Sequence, residues 1–421
     1  MSKHHLSPVW SRIFDLTIER GEGIYVYTTD GARYMDFTSG IGVTNTGHCH
    51  PSVVAAARDQ VGRLIHAQVN IHHHVPMLRL CDALLEVMPS PALDTFFFSN
   101  SGAEAIEAAV KLARHASGKT NIIVFQGSFH GRTNQTMAMT TGATIYRAGY
   151  APLTSGTFIA PYPYAYRYGW DDETTSRWCI KELRHMLASQ TAPHETAAVI
   201  IEPVLGEGGY VVPPVSFMRG LRQVCDEYGL LLVADEIQSG FGRTGKFFAL
   251  EHFGIQPDIL VMAKGLASGF PLSAVAANHG LMEKWVTGSH GGTFGGNAVA
   301  CAAAEATIRV LQDGVVENAA RMGELLKSGL QALKVRQPMV GDVRGLGLMI
   351  GTEFTTSQGE PAGDFAKAVK AVCEKNGLLL LLCGTYHNVI RWIPPLIVQE
   401  DQVRQALTIF EDALAQVQAR G

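Results

Sequence analysis

The chain has 421 residues, 47% of them hydrophobic, and a formal net charge of -4. This length suffices for two or three structural units around a large core, and the slightly acidic balance excludes a broad basic surface for nucleic acid or anionic lipid. We therefore expect small-molecule partners. Charged residues make up only 17% of the chain, below the usual share of about a quarter, so we also expect surface buried in an oligomer.

Cysteine usage and the start of the chain bear on the compartment. Seven cysteines are scattered from Cys49 to Cys383 without CxxC spacing, which favours reduced thiols in the cytoplasm over disulfides or a zinc ribbon. The start MSKHHLSPVWSRIF lacks the apolar stretch of a signal peptide, and no run approaches the about 18 apolar residues of a membrane span. We expect a soluble, cytoplasmic protein with no membrane partner.

The predicted elements begin with short strand-like pieces over residues 20–47, where Asp30-Gly31 is a hairpin signal. From about 50 to 290, apolar strands alternate with helical stretches, as in a parallel sheet covered by helices, with a ligand crevice at the carboxyl ends of the strands. The predicted strands are TFFFS, NIIVF, AAVIIEPV, LLLVADE, DILVMA and LSAVAAN.

The carboxyl-terminal part predicts a smaller α+β unit after an alanine-rich helix near 296–311. The face of its last helix carries residues at spacings of three and four, namely Val403, Leu407, Phe410, Leu414 and Val417. We divide the chain into an amino-terminal segment that contributes to the small domain (1–48), a large α/β domain (49–298) and a small α+β domain (299–421).

The stretch FFFSNSGAEAIEAAVKLA predicts a strand, a glycine turn and a helix, with Ser101 and Glu104 at capping-box spacing. Free N–H groups at Gly102 and Ala103 would hold a phosphate at this helix start. Most capped helices bind nothing, but a second glycine-rich run, HGGTFGGN around Thr293, adds weight. Either run is also consistent with a plain turn.

Two charged residues stand at the ends of apolar strands, Lys264 after DILVMA and Asp235 in LLLVADE. An isolated lysine usually reaches water, and a lone aspartate usually caps a helix or forms an ion pair. Because both strands should end in one crevice, a ligand with an aldehyde for the amine and a protonatable ring nitrogen for the carboxylate would satisfy both. Pyridoxal 5'-phosphate (PLP) has these groups and a phosphate.

A series of motifs runs in order along the chain: SGIGVTNTGHCHP, SGAEA, FHGRT, IEPVLGEGG, ADEIQSGFGRTG, AKG, GGTFGGN and NVIRWIPPL. With these motifs the chain resembles the class III PLP-dependent aminotransferases, and within them the 4-aminobutyrate aminotransferase group. The resemblance covers nearly the whole chain. It implies the α/β fold type I of PLP-dependent transferases, aspartate aminotransferase-like, with a large, mostly parallel-sheet domain and a small α+β domain.

The resemblance also implies roles at the cofactor site. Lys264 would form the Schiff base with PLP and later shuttle a proton, while Asp235 would keep the pyridine nitrogen protonated. Phe129 would stack on the ring, and Thr293 of the other subunit would join the phosphate site, which implies a homodimer with a shared active site. The further cofactor-binding residues are Ser101, Gly102, Ala103, His130, Glu202, Val204 and Gln238. Val204 is also consistent with core packing.

Substrate choice is expected to rest on arginines, because a guanidinium binds a carboxylate through two parallel hydrogen bonds. By the resemblance, Arg132 would bind the carboxylate distal to the reacting amine, with Ile41 packing on the substrate's methylenes. Arg391 would bind the α-carboxylate of glutamate or 2-oxoglutarate, and Glu207 would neutralise Arg391 when a substrate lacks that carboxylate. Without the family context, each arginine is more often a surface or ion-pair residue, and Glu207 is more often a loop carboxylate.

Two departures and one histidine run qualify this interpretation. Ornithine enzymes place a tyrosine where Ile41 stands, which disfavours ornithine, and Leu205 replaces a glutamine common in the 4-aminobutyrate group, which loosens the substrate assignment. The consecutive side chains of His72, His73 and His74 diverge and do not suit one metal ion. We interpret them as polar lining or surface and expect no metal site.

Our functional hypothesis is a PLP-dependent transaminase that moves the amino group of an ω-amino acid, 4-aminobutyrate above all, to 2-oxoglutarate. The products would be succinate semialdehyde and glutamate. The alternatives are an ω-amine or β-alanine:pyruvate transaminase, an (acetyl)ornithine aminotransferase, a PLP aminomutase or racemase, and a non-catalytic binder of a phosphate ligand. The preferred donor, the keto acid and the pairing of dimers into tetramers stay open.

Overall fold

The structure is a computed structural model and describes residues 5–419. Its strands are β1 (Ile18–Glu22), β2 (Tyr25–Thr28), β3 (Arg33–Asp36), β4 (Thr95–Ser99), β5 (Asn121–Phe125), β6 (Thr157–Ala160), β7 (Thr196–Ile201), β8 (Leu231–Asp235), β9 (Ile259–Met262), β10 (Ser273–Ala277), β11 (Val340–Leu346), β12 (Met349–Phe354), β13 (Leu378–Leu379), β14 (Leu381–Cys383) and β15 (Val389–Trp392).

The α-helices are α1 (Ser39–Gly42), α2 (Pro51–Val61), α3 (Val75–Leu85), α4 (Gly102–Ser117), α5 (Asn134–Met139), α6 (Ala165–Tyr168), α7 (Asp172–Ser189), α8 (Val215–Tyr228), α9 (His279–Met282), α10 (Ala298–Val310), α11 (Val316–Arg336), α12 (Gly363–Lys375) and α13 (Glu400–Gln418). Short 3-10 turns span Thr144–Tyr146, Ala249–His252 and Lys264–Ala267, and a π-turn, Leu311–Val315, joins α10 to α11. Over residues 5–419, no helix combines the length and the apolar character needed to cross a membrane.

A seven-stranded sheet in the order β4-β10-β9-β8-β7-β5-β6 forms the centre of the molecule. All six strands predicted for this part of the chain are present, and the mostly parallel sheet is confirmed. The prediction missed β6, a partly buried edge strand. It also missed that β10 runs antiparallel to both β4 and β9. The chain returns from β9 to β10 through a single 3-10 turn, too short for the crossover that a parallel pair requires.

Both faces of the central sheet are covered. Alternate residues of β5 belong to two different apolar clusters: Ile122 and Val124 pack with α4, and Ile123 and Phe125 pack with α7 and α8. Burial on both faces explains why these strands consist of continuous runs of apolar residues and do not alternate between apolar and polar residues. The carboxyl ends of β7, β8 and β9 therefore meet at one edge of the sheet.

Two smaller sheets flank this core. The strands β1, β2 and β3 form an antiparallel sheet that β13, from near the carboxyl terminus, extends in parallel. The predicted hairpin turn lies between β2 and β3, with Gly31 at φ 86°. The order of the third sheet is β11-β12-β15-β14. The proposed division at residues 48 and 298 stays a prediction, and residues 1–4 and 420–421 of its outer units lie outside the described residues.

Helices α10 and α13 match their predicted positions closely. On α13 the buried residues are Val403, Ala406, Phe410, Ala413 and Leu414, whereas Leu407 and Val417 are only partly buried. The helix thus packs a slightly narrower apolar face than the spacing predicted. Phe410 meets Trp392 of β15 edge to face, with 4.9 Å between ring centroids, which fixes this helix behind the strand that carries Arg391.

Candidate active site

A cavity of about 2300 Å³ opens at the carboxyl ends of the parallel strands. It collects residues from the amino-terminal segment, the central sheet and the third sheet. All but two of the predicted site residues line it, namely Ile41, Ser101, Gly102, Ala103, Phe129, His130, Arg132, Glu202, Glu207, Asp235, Gln238, Lys264 and Arg391. The structure therefore brings together residues that are up to 350 positions apart in sequence, from 41 to 391.

Lys264 begins the 3-10 turn that follows β9, and its backbone has a φ of 46°. A side chain in this left-handed region is strained and persists only where its surroundings impose it. Its side chain lines the cavity and is mostly, though not fully, buried. Burial lowers the pKa of Lys264 to about 8, although the nearby charge of Asp235 acts in the opposite direction. An amine of this kind is a better nucleophile near neutral pH than an exposed lysine.

Asp235 ends β8 and is held by two donors. Its Oδ2 accepts a hydrogen bond from Nδ1 of His130 at 2.7 Å, and its Oδ1 accepts one from the backbone N–H of Ile237 at 3.1 Å. Burial by itself would lower the pKa of His130, but the hydrogen bond and charge of Asp235 raise it above its ordinary value. Asp235 is thus a buried carboxylate whose orientation is fixed by the side chain of His130 and the backbone of Ile237.

Glu202 lies directly after β7, beside the Asp235–His130 pair. It accepts hydrogen bonds from the backbone N–H groups of Phe129 and Gly206, both at 2.8 Å. Burial raises the pKa of Glu202, and the neighbouring His130 opposes that rise. Glu202 thus connects the loop that carries Phe129 to the end of β7 by a hydrogen bond, which orients Phe129 in the cavity.

The amino terminus of α4 lines the cavity. Ser101 caps it in the predicted capping box: Ser101 Oγ accepts from the N–H of Glu104, and Glu104 Oε2 accepts from the N–H of Ser101. First-turn N–H groups such as those of Gly102 and Ala103 have no acceptor within a helix. A Cβ on Gly102 would lie 2.9 Å from Cδ1 of Ile237, so a larger residue at this position would have to displace the Ile237 side chain.

Glu207 and Arg391 form a buried ion pair at the other side of the cavity. Nη1 of Arg391, on β15, donates to Oε2 of Glu207 at 2.6 Å. Burial would raise the pKa of Glu207, but Arg391 and a hydrogen bond from Tyr146 hold that pKa below its ordinary value. The hydroxyl of Tyr146 donates to the second oxygen, Oε1, at 2.8 Å.

Arg132 lies across the cavity, exposed to it. Its guanidinium carbon is 4.8 Å from the ring centroid of Tyr146 and 5.8 Å from that of Phe129. Ile41 also lines the cavity from α1, in which Ser39 to Gly42 all have φ between 46° and 73°. The element α1 is therefore a left-handed turn, and it presents an apolar side chain to the same space as Arg132.

Two predicted residues do not line this cavity. Val204 is buried in a small apolar cluster with Tyr210 and Met349, which favours core packing, and its contact with a cofactor stays a prediction. Thr293 is exposed on the surface of the chain. Its expected role in the site of a second subunit likewise stays a prediction.

The histidine run is corrected in part. His72 and His73 are exposed, but His74 is buried: its Nδ1 accepts from the N–H of Met77 at the start of α3, and its Nε2 donates to the carbonyl of Gly296 at 2.8 Å. The spacing of polar residues before α3 could have indicated this cap. The part of the chain that the structure describes contains no cluster of His, Cys, Asp or Glu suited to a metal ion.

Sequence reasoning missed Tyr146, which contacts three of the predicted site residues. It also missed the contribution of the amino-terminal segment to the cavity wall, namely Val9, Trp10, Ser11 and Ile13. Tyr146 lies in the irregular stretch GATIYRAGY, where no periodicity or motif distinguishes it. For Trp10, the apolar residues within an exposed amino-terminal segment were an available signal.

Comparison with known proteins gives a consistent result. The family model "Aminotransferase class-III" matches residues 6–414. A 5-aminovalerate aminotransferase from Pseudomonas aeruginosa and a 4-aminobutyrate aminotransferase from Escherichia coli are each 38% identical to the chain. The matches cover 95% of this chain and 94% and 93% of those proteins, respectively. The crystal structure of a PLP-bound amine transaminase from an uncultivated Pseudomonas species superposes with a TM-score of 0.93 at 30% identity, covering 99% of both chains.

Proposed function

Because this chain belongs to the class III aminotransferase family, we propose that it is a PLP-dependent transaminase. It would take the amino group from an ω-amino acid, with 4-aminobutyrate as the main candidate, and pass that group to 2-oxoglutarate. The aminotransferase activity follows from family membership. The substrate pair, the cofactor and the roles of individual residues are what we propose, and each is supported by the geometry of the cavity.

The residues present fit PLP. One cavity offers an amine of lowered pKa at Lys264, a fixed carboxylate at Asp235 and first-turn N–H groups of α4 at Gly102 and Ala103. These suit an aldehyde, a ring nitrogen and a phosphate, respectively, and the aromatic side chain of Phe129 would pack against the ring. When bound, PLP supplies an aldehyde that condenses with amines and a ring that withdraws electrons from the carbon bearing the amine.

The chain's own residues would then bind, orient and move protons. Nζ of Lys264, with a pKa of about 8, can both accept and return a proton near neutral pH, as a general acid–base group requires. Asp235 would stabilise the protonated ring nitrogen of the bound cofactor, and the hydrogen bond from His130 fixes the orientation of the Asp235 carboxylate. Glu202 keeps the loop of Phe129 in place through the N–H group of that residue.

The Glu207–Arg391 ion pair in the same cavity as Lys264 is the observation that carries the substrate proposal. Among the described residues, Arg132 and Arg391 are the two arginines that line the cavity. Because Glu207 is paired with Arg391, Arg132 is the guanidinium that remains available to bind a substrate carboxylate. This arrangement suits an amino donor with one distal carboxylate. When Glu207 leaves, Arg391 becomes available for a second carboxylate, as in 2-oxoglutarate. A pair of this kind serves two substrates that differ by one negative charge.

The proposal is tested by a matrix of donors and acceptors. Purified holoenzyme is incubated with 4-aminobutyrate, 5-aminovalerate or an amine without a carboxylate, each with 2-oxoglutarate or pyruvate, and glutamate and alanine are quantified. We expect glutamate from the ω-amino acids with 2-oxoglutarate. Activity only with pyruvate and simple amines would contradict the substrate proposal and assign the chain to the amine:pyruvate transaminases.

Two controls separate the remaining alternatives. An aminomutase or racemase would retain its amino group, so no second keto acid would be aminated. Lys264→Ala is expected to abolish multiple turnovers, and borohydride reduction of the wild-type holoenzyme is expected to attach the cofactor to Lys264. A reduced protein without cofactor on Lys264 would favour a non-catalytic binder.

The proposal includes a homodimer in the cytoplasm. The exposed position of Thr293 in its glycine-rich run leaves it free to reach a second copy of the chain. Sedimentation of the holoenzyme would measure the assembly, and a monomer with full activity would contradict the shared site.

A further inference from the structure

Tyr146 occupies the centre of the substrate side of the cavity, between the two arginines. Its hydroxyl donates to Oε1 of Glu207 at 2.8 Å, while the opposite oxygen of Glu207 accepts from Arg391. One face of its ring lies under the guanidinium of Arg132, and its edge meets Phe129 with 5.1 Å between ring centroids. No other residue in the described chain is bonded to Glu207 through a side-chain hydroxyl.

The loop that carries Tyr146 is anchored next to Glu207. The backbone N–H groups of Thr141 and Gly142 both donate to the carbonyl of Ser128, at 2.8 and 3.0 Å. A Cβ on Gly142 would lie 3.2 Å from the carbonyl oxygen of Gly127 and 3.7 Å from Cγ of Glu207. These hydrogen bonds anchor the start of the loop beside Glu207, and Tyr146, further along the same loop, reaches Oε1 of Glu207 with its hydroxyl.

We infer that Tyr146 is a positioning residue that stabilises the closed arrangement of Glu207 on Arg391 and thereby sets the preference between substrates with one carboxylate and substrates with two. This inference rests on the proposed function and deepens it. In the closed arrangement Glu207 has two partners, and a substrate carboxylate that takes its place on Arg391 must displace it from both. The Tyr146 hydroxyl thus penalises dicarboxylates without touching the reacting atoms.

The ring and the hydroxyl of Tyr146 have separable roles. The ring packs under Arg132 and against Phe129, and a phenylalanine would retain these contacts. The hydroxyl acts on Glu207 alone. A hydrogen bond to a charged group is strong enough to shift a two-state preference on the order of tenfold. Tyr146→Phe therefore removes the bias and leaves the binding site for the distal carboxylate in place.

The experiment measures the binding of unreactive acids to the holoenzyme, together with steady-state kinetics. Glutarate stands for a dicarboxylate and pentanoate for a monocarboxylate. In Tyr146→Phe we expect the glutarate dissociation constant and the KM for 2-oxoglutarate to fall on the order of tenfold, whereas the pentanoate dissociation constant should change much less. Tyr168→Phe is the matched control, because that hydroxyl donates to the carbonyl of Tyr162 outside the cavity.

A double-mutant cycle shows whether the effect passes through Glu207. In a Glu207→Ala background, Tyr146→Phe should no longer change glutarate affinity. An unchanged or weaker affinity for glutarate in the single variant, or an effect that persists without Glu207, would overturn the inference. Failure of this inference can be distinguished from failure of the proposed function. If the wild type forms no glutamate from ω-amino acids, the proposed function is wrong. The binding of glutarate would still test the role of Tyr146 in that case.

Discussion

The pKa of the Lys264 amine offers a direct test of the site's electrostatics. Burial lowers that pKa from 10.5 to about 8, against the opposing charge of Asp235. At pH 7.5 an amine with a pKa of 8 is neutral in about a quarter of molecules, whereas a pKa of 10.5 leaves about one in a thousand neutral. Since only the neutral amine reacts with an electrophile, the pH midpoint of its reactivity should move down by the same amount as its pKa.

Competitive labelling of the apoenzyme measures this midpoint. A trace of acetic anhydride is added at a series of pH values from 6 to about 11, and mass spectrometry follows the acetylation of Lys264 and of the exposed Lys246. The shape of each profile matters rather than its height, because burial slows the reagent equally at every pH. We expect the Lys264 profile to level off above pH 8. A Lys264 profile that keeps rising to pH 10 would refute the electrostatic reasoning.

Two further predictions concern recognition and packing. Arg132→Met should raise the KM for 4-aminobutyrate on the order of tenfold to a hundredfold, because the hydrogen-bonded ion pair between Arg132 and the substrate carboxylate is lost. The KM for an amine without a carboxylate should stay constant. Equal effects on both KM values would contradict the role of Arg132. Gly265→Ala should lower the melting temperature, since its Cβ would lie 2.3 Å from Nδ2 of Asn45, a clash that costs about 1–3 kcal/mol. Gly280→Ala, with its nearest contact at 3.5 Å, is the control in a thermal denaturation series.

The central sheet could be predicted because its strands are buried on both faces. Runs such as Ile259–Met262 are apolar at every position, and in a chain of alternating strands and helices that pattern is typical of a strand covered on both sides. The edge strand β6 (Thr157–Ala160) escaped notice because it is short and only partly buried. The direction of β10 depends on the length of its connection rather than on its composition, and composition was the basis of the prediction.

The candidate site was predictable to different degrees. Lys264 and Asp235 stand out because a charge at the end of an apolar strand needs a compensating partner. The partnership of Glu207 with Arg391 came only from family resemblance, since no spacing rule joins residues that far apart. Tyr146 could not be found either way, because its role arises from the path of an irregular loop. Residues whose roles depend on long-range contacts across loops leave no local signal.

In the left-handed turn at α1, the backbone conformation of Ile41 favours glycine, whereas its position in the cavity favours an apolar side chain. Ile41 has a β-branched side chain at φ 70°, a conformation that costs on the order of 1–2 kcal/mol. Glycine would adopt this backbone freely but would remove the hydrocarbon wall of the cavity. Selection for heat resistance alone should therefore favour glycine at position 41, at the expense of the apolar surface that this residue gives the cavity.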